Sequence, residues 1–319
     1  MLRYVLGRVL QGIAAIFVIV TIVFFLARAG GDAAALLAPA DATPAQIEQV
    51  RVELGLDRPI LSQYGNYLSD VATGDLGDST SYRQPVADLV LPAMAQTARL
   101  ALTGFLLAVL LGVALGAFAG ARAGTRSDAV VRFVSVVGQS IPPFWLGMLL
   151  VLCFSVSLGW LPAFGYEGNA IILPAIALAA FPMASIARLT RSSVLEIAGQ
   201  DQTTFARSKG VSSARLMTHV LRNASLPVVT LAGIQLGAMF SGTIVIENLF
   251  AWPGVGQLAI QGIQSKDYAL IQGIVIVNTL VFVGLLFLVD LSYGWLDPRV
   301  RSESRRKVRT TAKVGEQVS

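Results

Sequence analysis

Long runs of uncharged, mostly apolar residues alternate with short charged segments along this chain. A helix needs about 20 apolar residues, each rising about 1.5 Å, to cross the hydrocarbon core of a membrane. Six runs that contain no Lys, Arg, Asp or Glu are about that long or longer: Val9–Ala27, Leu100–Ala121, Phe133–Tyr166, Gly168–Ala187, Asn223–Ile246 and Tyr268–Val289. The pattern predicts an all-α, polytopic membrane protein with six transmembrane helices.

The same pattern divides the chain into four parts. Residues 1–28 hold the first span, and residues 29–98 form a longer polar segment. Residues 99–297 contain spans two to six, with a polar stretch at 188–222 between the fourth and fifth spans, and residues 298–319 form a basic tail. The first apolar run has 19 residues, more than the apolar part of a secretory signal, so we expect it to be retained as a span.

The polar segment 29–98 is predicted to be a small helical cap. Thr43 is a helix N-cap, Pro44 suits the first helical position, and Gln46 completes a capping box. Gly55 is a plausible helix end. A second helix is indicated by apolar residues that repeat at helical spacing: Ile60, Leu61, Tyr64, Leu68 and Val71.

Composition and charge agree with the membrane prediction and add an orientation. Only 13% of the residues are charged, against about 25% in a soluble domain. Of the 24 Lys and Arg residues, 18 lie at the amino terminus, in 122–132, in 188–222 and in the tail. Basic loops stay on the cytoplasmic side of a membrane. Both termini and the 188–222 stretch are therefore predicted to be cytoplasmic, and the cap extracytoplasmic.

Motifs for energy supply and for catalysis are missing from the sequence. It has no G-x-x-x-x-G-K-[ST] phosphate loop, no Ser/His/Asp set on one element and no His/Cys/carboxylate cluster with metal-ligand spacing. Glu247 and Asp290 lie near span ends rather than at the midplane, where ion-coupled carriers place carboxylates. Cys153 is predicted to be a small apolar core residue. The chain is therefore interpreted as a passive pathway subunit, with an ion-coupled carrier and a membrane-embedded enzyme as the alternatives.

Several short motifs, in order along the chain, resemble the permease subunits of ATP-binding-cassette (ABC) importers of the peptide/nickel type. The similarity runs nearly from end to end. The motifs that carry it are Met1–Leu6, Gly74–Gly77, Ile141–Gly147, Gly159–Tyr166, Ala187–Ser193, Ala206–Gly210, Leu221–Pro227, Phe250–Gly256 and Leu296–Arg299.

This resemblance implies a type I ABC importer permease fold in the bacterial plasma (inner) membrane. It implies that the chain is not itself an enzyme, has no catalytic residues and binds no metal or cofactor. ATP and Mg²⁺ are implied to bind to partner subunits. The implied partners are a homologous second permease, ATP-binding-cassette ATPase subunits on the cytoplasmic side and an extracytoplasmic peptide-binding protein, with membrane lipid around the spans. The implied substrates are dipeptides or oligopeptides, with nickel or glutathione as alternatives.

The family's cytoplasmic signature is E-A-A, three residues, Gly, nine residues, Ile, one residue, Leu-Pro. Thr204-Phe205-Ala206 stands in the place of E-A-A, Gly210 matches, and Leu226-Pro227 comes four residues late, as in peptide-type permeases. Gly30-Gly31-Asp32-Ala33 replaces the usual P-G-D-P after the first span. The resemblance makes this segment the helix that couples the permease to its ATPase, with these residues as its site: Thr204, Phe205, Ala206, Arg207, Lys209 and Gly210.

Physical chemistry assigns roles within this segment. Ala206 gives a small docking surface, and Gly210 suits a left-handed helix end. Phe205 is predicted to anchor in a groove of the ATPase, as aromatic residues often do at interfaces. For Arg207 and Lys209, pairing with acidic groups of the ATPase and contact with solvent or lipid remain equally open. Candidates for lining the pathway are the uncharged polar residues of the spans, for which ordinary helix packing is an equal alternative: Gln139, Ser140, Gln235, Ser241, Thr243 and Asn278.

Overall fold

The structure, a computed structural model, describes residues 2–29, 34, 42–53 and 55–296. The predicted basic tail at 298–319 and the Gly30–Ala33 motif lie outside these residues. In the described part, helices dominate: α1 (Leu2–Ala29), α2 (Pro44–Glu53), α3 (Ile60–Thr73), α4 (Val86–Ala121), α5 (Arg126–Ser140), α6 (Pro143–Leu150), α7 (Ile172–Ala198), α8 (Asp201–Ser208), α9 (Ser213–Leu249), α10 (Val255–Gln264) and α11 (Tyr268–Leu296). A π-helical stretch, Val151–Ser157, continues α6, and a 3₁₀ turn, Gly168–Ile171, precedes α7.

The structure confirms the all-α membrane fold and corrects its third span. Five helical segments are long and apolar enough to cross a membrane: Val5–Arg28, Val86–Ala121, Gly168–Ala198, Ser213–Phe240 and Tyr268–Val289. The third predicted span, within Phe133–Tyr166, is broken, because α5 and α6 meet at a bend of 106°, and the described residues contain six spans if this bent pair counts as one. Proline disfavours the helical conformation of the residue before it, and Ile141 and Pro142 are both extended.

Three predicted boundaries also move. α4 begins at Val86, so the long helix starts inside the predicted cap segment 29–98. The stretch 188–222 is mostly helical, because α7 continues to Ala198 and α9 begins at Ser213. The segment between spans five and six contains the unpredicted helix α10. In the first two cases a charged residue marks a change in polarity along a helix, whereas the helix itself continues.

The helices predicted in the cap are present. The Thr43 backbone N–H donates to Gln46 Oε1 over 2.7 Å, and the Gln46 N–H donates to Thr43 Oγ1 over 3.4 Å, which is the reciprocal pair of a capping box. Gly55 follows α2 with a φ of 64°, as expected of a glycine that ends a helix. The apolar repeat from Ile60 to Val71 lies in α3.

The described residues form two compact units, of which the first comprises residues 2–7, 98–252 and 285–296. Its centre is α7, which packs against α5, α6, α8 and α9. The largest buried cluster of this unit includes Leu173, Leu178, Ile246, Phe250 and Trp252. Glu247 is also fully buried there. Cys153, predicted as a core residue, is instead exposed on the π-helical stretch.

Three glycines on one face of α4 allow α7 to approach closely. A Cβ atom at Gly112 would lie 2.8 Å from the Met183 carbonyl oxygen, and one at Gly120 would lie 2.7 Å from Val194 Cγ1. At Gly116, between them, a Cβ atom would meet the Ala187 carbonyl. Small residues four apart are typical of helices whose backbones touch within a membrane, where van der Waals packing replaces the hydrophobic effect.

The second unit comprises residues 8–97 and 253–284 and contains a buried carboxylate, Asp267. The Ser79 hydroxyl donates to Asp267 Oδ2 over 2.6 Å, and the Ser81 and Leu270 N–H groups donate to its oxygens over 3.0 Å. Burial raises the pKa of this carboxyl, but these hydrogen bonds outweigh burial and hold the pKa below its usual range. Asp267 thereby fastens the segment after α3 to the start of α11.

Candidate functional site

The predicted coupling segment forms a short helix of its own between two long ones. α7 ends at Ala198, and Gln200 is extended, with a ψ of 150°, before α8 begins at Asp201. An acidic residue in the first turn stabilises a helix, because its charge faces the positive end of the helix dipole. Thr204, Phe205, Ala206 and Arg207 lie in α8, whereas Lys209 and Gly210 form its end.

α8 is attached through its buried side to the two long helices that flank it. Thr203 is 2% exposed, and its hydroxyl donates to the Ile197 carbonyl oxygen over 2.7 Å. Val194 of α7 packs with Val220 and Ala224 of α9 in a buried cluster on the same side. α8 also packs directly against both long helices. A force on α8 is therefore transmitted to α7 and α9 together.

The end of α8 has the geometry that the sequence predicts. Gly210 has a φ of 77°, a left-handed value that glycine adopts without steric cost. Its N–H donates to the Arg207 carbonyl over 3.0 Å, and the Val211 N–H donates to the Ala206 carbonyl over 3.3 Å. These two bonds define a Schellman motif. The chain leaves α8 sharply as a result and enters α9 at Ser213.

The side chains proposed for docking face outward. Phe205 is 60% exposed, an unusual state for a large aromatic side chain outside the membrane spans. The Lys209 ammonium lies 4.5 Å from the centre of the Phe205 ring, in cation–π geometry. Thr204 and Arg207 are also exposed, and Ala206 is half-buried. The exposed surface of α8 thus carries an apolar ring with the Lys209 ammonium beside it, and Arg207 is exposed elsewhere on the helix.

An ion pair that the sequence reasoning missed holds the adjoining part of α7. Arg191 Nε donates to Asp128 Oδ1 over 2.6 Å, and Arg191 NH2 donates to Oδ2 over 2.9 Å. The Gly124 N–H also donates to Oδ2, over 3.0 Å. This bidentate pair joins α5 to α7 seven residues before α7 ends. The sequence contained one usable signal, a single aspartate in the basic stretch 122–132.

The six pathway candidates lie on three helices, α5, α9 and α11. Gln139 Nε2 donates to the Ser185 hydroxyl over 2.9 Å, so it joins α5 to α7. The Ser140 and Thr243 hydroxyls donate to carbonyls of their own helices. Gln235 is buried in α9, and Asn278 is half-buried in α11. Ser241 lies in α9, and its side chain is outside the described part. Their role in lining a pathway remains a prediction.

Known proteins resemble this chain over nearly its whole length. The family model described as "Binding-protein-dependent transport system inner membrane component" matches residues 112–302, and the corresponding amino-terminal model matches residues 1–99. The chain belongs to this family of transporter permeases. It is therefore a multi-pass inner-membrane permease subunit of an ABC importer.

Two relatives show how far the similarity extends. The glutathione transport system permease protein GsiC of Escherichia coli is 39% identical over 304 residues, which cover 94% of this chain and 99% of the relative. A putative peptide transport system permease protein of Brucella abortus is 38% identical over 312 residues, with the same coverage of both chains. Both relatives therefore align with the cap, the spans and α8 of this permease.

A solved structure supports the fold independently. A chain of the MetNI methionine ABC transporter, in an inward-facing conformation, superposes with a TM-score of 0.54 at 18% sequence identity. The match covers 66% of this chain and 96% of that one. At this level of identity the similarity concerns the fold alone, and it places this chain in the ABC importer permease fold.

Proposed function

We propose that this permease takes up short peptides, either dipeptides or oligopeptides, with energy from ATP hydrolysed by partner subunits. The observation that carries the proposal is the 38–39% identity, over 94% of the chain, to permeases named for glutathione and peptide transport. Glutathione is itself a short peptide and is the first alternative substrate, and nickel is the second.

The proposed assembly supplies what this chain lacks. A homologous second permease forms the other half of the pathway, ATPase subunits bind on the cytoplasmic side, and an extracytoplasmic binding protein delivers the peptide. The family description refers to binding-protein-dependent transport, in agreement with the last of these. ATP and Mg²⁺ bind to the ATPase subunits in this proposal.

α8 is the proposed contact with the ATPase. Its exposed Phe205 enters a groove of the ATPase, and Arg207 and Lys209 border the contact. When nucleotide brings two ATPase subunits together, α8 moves with them. Because the Thr203 hydrogen bond and direct packing attach α8 to α7 and α9, the long helices follow, and the pathway changes between inward-open and outward-open states.

This proposal requires α8 to lie in the cytoplasm and the cap to lie outside. The charge distribution supports that orientation, since 18 of the 24 Lys and Arg residues fall on the proposed cytoplasmic side. An impermeant thiol reagent should label a cysteine placed at Asp75 in intact cells and should not label one placed at Ser212. Because Cys153 is exposed, both variants are made in a Cys153→Ala background. Labelling at Ser212 from outside would reverse the orientation and remove the coupling role.

Ligand-stimulated ATP hydrolysis tests the function itself. The permease pair, its ATPases and its binding protein are reconstituted in liposomes, and dipeptides, oligopeptides, glutathione and Ni²⁺ are compared at equal concentrations. We expect a dipeptide or oligopeptide to stimulate hydrolysis and to accumulate inside the vesicles. Stimulation by glutathione or Ni²⁺ alone would reassign the substrate. Transport that follows an ion gradient without ATP would contradict the ABC mechanism and favour an ion-coupled carrier.

A further inference from the structure

A polar pocket lies beside the outer end of α1 in the second unit. Its volume is about 360 Å³, and it is open to the surface. Two arginines border it, against a single acidic residue. The lining polar residues are Arg28 of α1, Arg58, and Gln63, Asn66, Tyr67 and Asp70 of α3.

The Arg28 guanidinium is held in place without a carboxylate, whereas Arg58 is fixed only through its backbone. Arg28 Nε and NH2 both donate to Gln63 Oε1, over 3.1 and 2.9 Å, and the guanidinium carbon lies 3.5 Å from the centre of the Phe24 ring. Gln63 Nε2 donates in turn to the Arg58 carbonyl over 2.8 Å, which fixes the turn before α3. Among the described residues, neither Arg28 nor Arg58 forms an ion pair. Positive charge therefore remains available at the pocket.

A hydroxyl at the same pocket also lacks a partner. The Tyr67 oxygen is buried, and within the described ranges nothing accepts or donates a hydrogen bond to it. A buried polar group without a hydrogen bond costs about 1–3 kcal/mol, so such groups usually belong to a site that something else completes. Burial raises the pKa of Tyr67 to about 12, despite the opposing effect of Arg28, and the group stays a neutral donor. The pocket thus contains hydrogen-bond donors that the acceptor atoms of a ligand would satisfy.

The position of α3 on α1 indicates where this acceptor comes from. The Tyr64 hydroxyl lies 2.6 Å from Thr21 Oγ1, inside the Val5–Arg28 span. Thr21 is seven residues before Arg28, or about 10 Å along the helix. α3 therefore lies beside the outermost turns of a membrane span, at the depth of lipid headgroups.

Exposed apolar side chains on the same two helices, outside the pocket lining, fit the same environment. Leu61 of α3 is 77% exposed, and Leu26 of α1 is 64% exposed. A helix with apolar residues on one side and polar residues on the other, next to a span, is typical of a segment that lies in the membrane interface. An acidic protein partner would explain the arginines and leave these exposed leucines without a role.

We propose that this pocket binds the phosphate group of a membrane phospholipid, with Arg28, Arg58 and Tyr67 as donors and the acyl chains against Leu26 and Leu61. Guanidinium groups match the geometry of phosphate oxygens and form two hydrogen bonds at once. The bound lipid ties the cap to the outer end of α1. The inference does not depend on the transported substrate, and its test involves no transport.

Lipid titration of the purified, delipidated full-length chain tests the site. Dioleoyl phosphatidylglycerol is added in detergent, and bound lipid is counted by native mass spectrometry. We expect Arg58→Gln to weaken the tightest lipid site about tenfold, because a charge-assisted hydrogen bond is lost, and Tyr67→Phe to weaken it about threefold. Arg58→Lys retains the charge and should restore part of the affinity.

Arg83→Gln is the matched control. Arg83 is an exposed arginine of the same outer segment, lies outside the pocket, and loses the same charge in this variant. We expect its lipid affinity to stay close to that of the wild type. Because the Arg58 side chain is exposed, the melting temperature of Arg58→Gln should match that of the wild type, and Tyr67→Phe provides a second test that removes only one oxygen atom.

Three competitors identify the ligand. Dioleoylglycerol has the chains without phosphate, inorganic phosphate has the anion without chains, and a glutamate-rich peptide represents an acidic protein partner. We expect none of them to displace phosphatidylglycerol at equal concentration. Displacement by dioleoylglycerol would show that the apolar surface binds alone. Displacement by phosphate or by the peptide would assign the pocket to a soluble anion or to a protein. Equal lipid affinity in the wild type and in Arg58→Gln would overturn the site altogether.

Discussion

Two short helices outside the membrane spans, α3 and α8, end in the same way and differ in what they expose. Gly74 follows α3 with a φ of 85°, and Gly210 follows α8 with a φ of 77°. The same pair of hydrogen bonds closes both helices, and a Cβ atom at either glycine would meet nothing within 4 Å. The end of each helix is therefore a local feature set by its glycine.

The attachments of these two helices differ. α3 is held to α1 by side-chain bonds, from Tyr64 to Thr21 and from Arg28 to Gln63. α8 is held by Thr203 to the end of the preceding helix and lies over a cluster shared by α7 and α9. The exposed large apolar residues are the aliphatic Ile60 and Leu61 on α3 and the aromatic Phe205, with a cation beside it, on α8. Two helices with the same kind of end can therefore have different roles. We assign a lipid contact to α3 and an ATPase contact to α8 from the helices that each one is attached to and from the side chains that each one exposes.

The largest effect is expected from Phe205→Ala. If Phe205 docks into the ATPase, this change removes about 2–4 kcal/mol of binding energy, and the association should weaken more than tenfold. Because the side chain is 60% exposed, the membrane level and melting temperature should stay close to the wild type. A pull-down of ATPase subunits at matched permease levels measures the change. Leu61→Ala, on α3, is the matched control and should leave ATPase recovery unaltered, whereas an unaltered recovery with Phe205→Ala would remove the docking role.

The next effect is expected from Gly210→Val. A side chain at a positive φ costs about 1 kcal/mol or more, and with valine the end of α8 must rearrange. We expect the protein to insert normally and peptide uptake to fall about fivefold or more. Gly74→Val introduces the same strain after α3 and should leave uptake near the wild-type value. Equal losses in the two variants would mean that general instability, and not coupling, explains the result.

Smaller effects are expected when one attachment of each helix is removed. Thr203→Val removes the hydrogen bond from Thr203 to the Ile197 carbonyl. Tyr64→Phe removes the hydrogen bond from Tyr64 to Thr21, in which Tyr64 is the donor because the Thr21 hydroxyl donates to the Phe17 carbonyl. Each hydrogen bond contributes about 1 kcal/mol, so thermal scans should show melting temperatures about 2–4 °C lower. Peptide-stimulated ATP hydrolysis should fall in Thr203→Val alone. A fall of the same size in Tyr64→Phe would contradict the distinction between the two helices.

The smallest effect is a pH dependence confined to α3. The pKa of Tyr67 is raised to about 12 in the folded protein, above its unfolded value of about 10. The contribution of Tyr67 to the free energy of unfolding is therefore fully present below pH 10 and is lost as the pH rises toward 12. Between pH 9 and pH 11 the melting temperature of the wild type should fall about 1–2 °C more than that of Tyr67→Phe. Parallel curves would show that Tyr67 ionises equally in both states.

Several features were determined by the sequence alone, because they depend on neighbouring residues. Apolar length predicts the spans, the Thr43 and Gln46 pair predicts the start of α2, and a glycine in a polar stretch predicts the left-handed end at Gly210. The resemblance of the motifs predicted the family that the relatives confirm. Each of these signals lies within one element or within one short motif.

Only the tertiary structure decided how distant residues meet. Asp128 and Arg191 are separated by 63 positions, and Ser79 and Asp267 by 188, and no local pattern relates either pair. Charges at Arg188 and Arg191 predicted a loop, yet α7 continues through them, because a helix persists where its other faces are packed. Pro142 and Pro143 mark the break between α5 and α6 in the sequence, but the 106° angle between these helices is seen only in the structure. The sequence alone determined which segments are long and apolar enough to span a membrane, and packing between helices decided where several helices continue and which polar groups they bury.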